Sequence, residues 1–136
     1  MANQGPISWK TGVGLNHVGA YQVSGRPFAS GSITSATAYG VVFPTVTRWV
    51  QITNNNGAPL KAGFSALGVA GNNYFTVPAS SSAGGPGVSP VFELKITQLW
   101  LNAPTNVDVV AGLTNIEGKR TATGDGQSWS GSAGVG

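Results

Sequence analysis

The chain lacks cysteine altogether and carries a single histidine, His17. Without Cys there is no disulfide framework, zinc knuckle, iron–sulfur centre or thiol nucleophile. With one His, neither an HExxH motif nor a three-His metal site fits within one chain. Acids are almost as scarce. Glu93, Asp108, Glu117 and Asp125 are the whole set, which leaves little for general acid–base chemistry. Charged residues make up 8% of the 136 positions, against about a quarter in an average domain. Long apolar runs are missing too, and no stretch approaches the roughly 18 residues of a membrane span. Residues 1–6 have neither the charged nor the apolar region of a signal peptide. There is no Asn-x-Ser/Thr sequon, and position 2 is Ala, not the Gly that myristoylation needs. The expectation is a soluble, untagged chain without a membrane partner.

Glycine is abundant, with 21 residues, and the hydrophobic fraction is an ordinary 40% spread along the chain. That argues for one folded domain with a real core and against disorder. The net charge is +3, from seven dispersed basic residues of which only Lys119 and Arg120 are adjacent. A nucleic-acid partner is not expected, because binding by counterion release wants several cations on one face.

No segment has the period of an amphipathic helix. Gly, Pro, Asn or Ser interrupts the chain every few residues, as in all-β sandwiches and barrels. Expected strands are Gly19–Phe28, Val41–Thr53, Leu60–Ala66, Asn73–Pro78, Val91–Asn102 and Asn106–Thr114. Asn54–Gly57 reads as a turn, and Ala79–Pro90 as a Ser/Gly/Pro-rich loop. Inward faces are Leu60, Ala62, Phe64 and Ala66 in one strand, and Val107, Val109, Ala111 and Leu113 in another, with Asp108 outward. In Val41–Thr53 the inward set Val46, Val50 and Ile52 also contains Arg48. In Val91–Asn102, Phe92, Leu94 and Ile96 share one parity and Leu99 and Leu101 the other. One residue of slip flips every side chain, so a bulge or kink is expected near Thr97-Gln98. Arg48 marks either a second bulge or a strand end whose side chain reaches water. The pattern fits a jelly-roll or Greek-key β-sandwich of two antiparallel sheets, and periodicity does not choose between those topologies.

Few residues suggest chemistry. His17 precedes the first expected strand and would need a nucleophile and an orienting acid to act as a base. Ser65 in Gly63-Phe64-Ser65-Ala66-Leu67 lacks the following Gly of a nucleophile elbow and falls on the polar face of an expected strand. Asp125 in Gly124-Asp125-Gly126 has only Glu117 nearby in sequence, too few oxygens for Ca²⁺. Gly84-Gly85-Pro86-Gly87 has no Lys-Ser/Thr partner of a phosphate loop. An enzyme, a metal site and a cofactor are therefore not expected. The four tryptophans, Trp9, Trp49, Trp100 and Trp129, are the candidate interface residues. Trp49 and Trp100 lie opposite the apolar faces of their strands, where aromatic rings mark partner contacts or form platforms for sugars or bases. Trp9 and Trp129 lie in the terminal segments and are expected to dock on the domain or on a neighbouring subunit.

Several blocks resemble a known family. Gly12-Val13-Gly14-Leu15-Asn16, with Gly19-Ala20-Tyr21-Gln22-Val23-Ser24-Gly25-Arg26-Pro27-Phe28, resembles the opening of the small vertex (penton) proteins of large icosahedral double-stranded DNA viruses, the algal-virus type in particular. Val42-Phe43-Pro44-Thr45-Val46-Thr47-Arg48 is similar to their Phe-Pro-x-Val-Thr-Lys pattern. Phe92-Glu93-Leu94-Lys95 with Leu99-Trp100-Leu101 resembles their late strand. Ala111-Gly112-Leu113-Thr114-Asn115-Ile116 is similar to an Ala-Glu-Leu-Thr-Asn-Ile element, with Gly112 in place of the acid. The end, residues 129–136, resembles their closing Gly/Ser-rich tail. The resemblance implies a single jelly roll, five copies of which close each capsid vertex.

The resulting expectation is a non-enzymatic structural virion protein, a homopentameric penton located at the capsid vertex. Its partners are then copies of itself and the neighbouring major and minor capsid proteins. Residues 1–17 form an N-terminal arm, 18–116 the sandwich and 117–136 a Gly/Ser-rich tail. The alternative is a lectin-like jelly-roll module that uses an exposed Trp49 or Trp100.

Overall fold

In the computed structural model, residue 15 and residues 26–136 are described. Eight strands follow one another as β1 (Arg26–Ile33), β2 (Tyr39–Val42), β3 (Thr47–Asn54), β4 (Leu60–Gly63), β5 (Tyr74–Val77), β6 (Gly87–Val88), β7 (Gln98–Leu101) and β8 (Val107–Leu113). A five-residue helix, α1 (Ala66–Ala70), separates β4 from β5, and a 3₁₀ turn covers Gly118–Thr121. The strands form two antiparallel four-stranded sheets, ordered β1-β8-β3-β6 and β2-β7-β4-β5. The chain is thus an all-β sandwich. Its pairs are nested: first with last, second with seventh, third with sixth, fourth with fifth. That is the connectivity of one long antiparallel ribbon doubled over on itself.

The core lies between the sheets. Val50, Ile52, Val107, Val109, Ala111 and Leu113 enter it from one sheet, and Val41, Leu60, Ala62, Val77, Leu99 and Leu101 from the other. The inward set expected for β8 is the observed one. Of the set expected in the β4 segment, Leu60 and Ala62 are buried, Phe64 packs half-buried against the core beyond the strand, and Ala66 is exposed at the start of α1. Full burial of a side chain such as Ile52 or Leu99 contributes about 1.5–3 kcal/mol. Two T-shaped aromatic pairs close the flanks: Phe28–Phe43 at 5.0 Å beside β1 and β2, and Phe75–Phe92 at 5.1 Å beside β5 and β6.

The irregularity expected near Thr97-Gln98 is present, and of the two readings of Arg48 a bulge is observed, next to the start of β3. Between Thr47 and Trp49 the β3–β8 register shifts by one residue, so Val46 and Thr47 are buried in succession and Arg48 turns outward. Arg48 there meets Glu93 at 3.5 Å. At Thr97 the buried parity slips, with Ile96 and Thr97 both buried before Leu99. The segment changes sheets at that point: Phe92 bridges Val50 in one sheet, whereas β7 belongs to the other. β1 holds a third bulge between Ser30 and Ile33, with Ser32 at φ 54°. The amide of Ser32, left unpaired by the ladder, donates to Asp108 Oδ1 at 2.8 Å, while Asp108 Oδ2 accepts from Asn55 Nδ2.

Several expected boundaries need correction. Val41–Thr53 is two strands, because Pro44 has no N–H to give a ladder and the chain crosses there from β2 to β3. Val91–Asn102 contracts to β7 plus the single Phe92 bridge. The first described strand does not end at Pro27 but runs on to Ile33. Pro27 is tolerated because β1 is an edge strand. Of the strand expected at Gly19–Phe28, residues 19–25 lie outside the described residues. The strand expected at Leu60–Ala66 stops at Gly63, and Ser65 is not on a polar strand face: it caps α1, its Oγ accepting from Gly68 N at 2.9 Å. The loop expected at Ala79–Pro90 contains β6.

Buried hydroxyls tie the crossings together. Thr47 Oγ1 donates to Leu94 O and accepts from Ile96 N, and Thr114 Oγ1 donates to Val46 O and accepts from Ile116 N. Ser128 Oγ accepts from Thr97 N and Gln98 N at the kink. The C-terminal residues thereby form a strap on the sandwich. Trp129 packs on the core, and the Val135 and Gly136 carbonyls accept from Ser65 Oγ.

Candidate functional site

The four tryptophans have different settings. Trp9, like His17, lies outside the described residues. Trp49 is half-buried on the outer face of its sheet, in register with Gly112 of β8. Trp129 docks on the domain itself, beside the core, and its Nε1 donates to Lys95 O. Trp100 lies on the outer face of the β2-β7-β4-β5 sheet between two glycines, Gly40 and Gly63. Its six-membered ring covers Gly40 so closely that a Cβ there would stand 2.8 Å from Cζ2. Its Nε1 donates to Gln98 Oε1 at 2.7 Å. The ring is thus held on one side by the sheet backbone and at one edge by an amide.

Trp100 also forms one wall of a half-open cleft of about 530 Å³. Ala66 and Leu67 of α1 line a second wall, and Asp125, Ser130 and Gly131 of the strap a third. The volume falls in the range of small-molecule sites, about 300–1,000 Å³. Asp125 sits at the tip of a tight turn in which Thr123 and Gly126 exchange backbone bonds. Its amide donates to Thr123 Oγ1, and its carboxylate has no ion pair among the described residues. Ser130 Oγ donates to Gln127 O, and Gln98 Nε2 reaches the same carbonyl at 3.3 Å. The cleft therefore joins an aromatic wall to one free carboxylate and two oriented polar side chains. Among the described residues the lining includes no basic one.

A second set of features lies on the flanks of the sandwich. From the strand orders, β1 and β2 border one flank and β5 and β6 the opposite one. Exposed large apolar residues fall on both: Tyr39 and Val42 on β2, and Tyr74 on β5 with Val88 and Val91 in and just after β6. Val42 and Val91 keep 68% and 53% of their surface exposed. Neither valine stands out in the sequence, where each reads as one more β-branched residue of a strand. Val42 is exposed because it follows the inward Val41 onto the outer face of the edge strand β2, and Val91 because it lies beyond β6 in no strand.

The remaining candidates do not come together. Among the described residues no three His, Cys, Asp or Glu side chains approach one another. Asp108 is engaged in holding the β1 bulge, Glu93 pairs with Arg48, and Glu117 pairs with Lys119. Gly87 of the Gly84–Gly87 stretch belongs to β6, paired with β3. No described helix is long and apolar enough to cross a membrane. No family model, no curated protein and no solved structure matches the chain.

Proposed function

We propose that this chain is a structural virion protein, a penton whose five copies close the fivefold vertices of an icosahedral capsid. The observation that carries the reading is the pair of apolar flanks on opposite sides of the sandwich, Tyr39 and Val42 against Tyr74, Val88 and Val91. One flank meets the other flank of the next copy in a heterologous contact, which closes into a ring when each copy is rotated by a fifth of a turn. The nested strand pairing supports a jelly roll, an architecture used by viral capsid and lectin domains alike. The scarcity of charge suits such a surface, because interface cores are depleted in charged residues. The resemblance of the Phe43-Pro44 and Ala111–Ile116 blocks to vertex proteins supplies the assembly number. Neighbouring major and minor capsid proteins are the outer partners of the ring.

Native mass spectrometry over rising protein concentration tests the reading. The expected species is a ring of five 13.7 kDa chains. A monomer at every concentration, or closure at another number, overturns it. A lectin-like module is the second reading, and it is favoured by the Trp100 cleft; Trp49 faces outward beside Gly112.

A further inference from the structure

We propose that the cleft bounded by Trp100, α1 and the C-terminal strap binds a neutral saccharide. The site takes up the second reading and stands whether or not the ring forms. A pyranose presents a face of C–H groups and a rim of hydroxyls, and the cleft offers a counterpart to each. The indole wall takes the C–H face, as aromatic platforms do for flat ligands. Asp125, Gln98 and Ser130 stand around it as hydrogen-bonding groups for the rim.

Three observations favour this ligand class. The carboxylate of Asp125 has no partner among the described residues, and a carboxylate accepts only, so it calls for a ligand rich in O–H or N–H donors. A single negative charge with no basic residue in the lining among the described residues disfavours an anion, so phosphates and acidic sugars are poor ligands. The polar groups are also fixed before any ligand arrives. Gly131, at φ 82°, packs directly under the Asp125 carboxylate, where a Cβ would overlap Oδ2. Gln98 is oriented by the indole N–H on one side and Gln127 O on the other. Groups held in place in this way do not lose freedom when the ligand binds.

The experiment uses the full chain on a printed array of neutral and sialylated oligosaccharides, followed by titration of the best neutral hit with indole N–H signals read by NMR. Binding should shift the Trp100 Nε1 resonance. D125A should weaken affinity at least tenfold, and W100F about tenfold. Neither should unfold the protein, since the Asp125 side chain makes no hydrogen bond or ion pair among the described residues and Phe keeps an aromatic ring at this position of β7, and melting temperatures check that both variants fold. Native mass spectrometry of the same variants reports ring formation separately, so failure of either reading is visible alone. Absence of any neutral glycan hit overturns the proposal. So does a hit whose affinity survives both D125A and W100F, or a preference for sialylated glycans.

Discussion

At the scale of single residues, the outer sheet face shows how a glycine and a tryptophan can replace an ordinary cross-strand pair. Gly40 faces Trp100 across the β2–β7 ladder. Glycine weakens a strand, since it contributes no side chain and loses more backbone freedom on folding. The indole compensates by covering the bare backbone, with its N–H satisfied by Gln98. Gly40→Ala should therefore destabilise the protein, although alanine ordinarily favours a strand over glycine. Its Cβ would force the ring away, at a cost of about 1–3 kcal/mol for overpacking. In a Trp100→Ala background the same substitution should be neutral or stabilising, because nothing then occupies the space. Urea unfolding of the two single variants and the double variant gives the coupling directly. Equal cost of Gly40→Ala in both backgrounds would show that the ring does not lean on the glycine.

At the scale of elements, the strap is the part that composition describes least well. A run as rich in Gly, Ser and Thr as residues 117–136 reads as a tail, yet Ser128 supplies the acceptor for two amides at the Thr97-Gln98 kink. Where the chain changes sheets it loses its ladder partners, and buried N–H groups need acceptors from elsewhere. Ser128→Ala leaves both amides orphaned. An unsatisfied buried donor costs about 1–3 kcal/mol, and the loss should appear as a lower urea midpoint with an unchanged slope. The kink itself was legible, because a parity slip between Ile96 and Leu99 cannot occur in one unbroken strand. The inward face of β8 was legible for the same reason. For the split of Val41–Thr53 the signal was present but went unread. Val41 and Phe43 have the opposite parity to Val46, Val50 and Ile52, and Pro44, which has no N–H for a ladder, stands where the parity changes and the chain crosses between sheets. The outward placement of Trp100 followed from parity. The meeting of Asp125 with Gly131 did not, because it depends on a turn and a left-handed backbone that no spacing encodes.

At the scale of the whole molecule, the decisive question is whether the two apolar flanks belong to one kind of contact. Val42 and Val91 are both exposed, on opposite flanks. Lysine at either position should leave the isolated fold almost unchanged, within about 0.5 kcal/mol, as surface substitutions usually do. In a heterologous contact each copy gives one flank and receives the other. Val42→Lys spoils the first flank and Val91→Lys the second. A lysine in the centre of a desolvated interface should cost 2 kcal/mol or more per contact, and each variant alone should then remain monomeric. Mixing the two changes the outcome in a particular way. The intact first flank of the Val91→Lys chain fits the intact second flank of the Val42→Lys chain, so one contact forms. Both flanks left over carry lysine, so growth stops there. Native mass spectrometry of the mixture should show a heterodimer and no larger ring. An isologous contact through the β2 edge predicts something else: Val91→Lys assembles like the parent chain, and mixing adds nothing. The heterodimer therefore separates a head-to-tail ring from every assembly in which a flank pairs with its own copy.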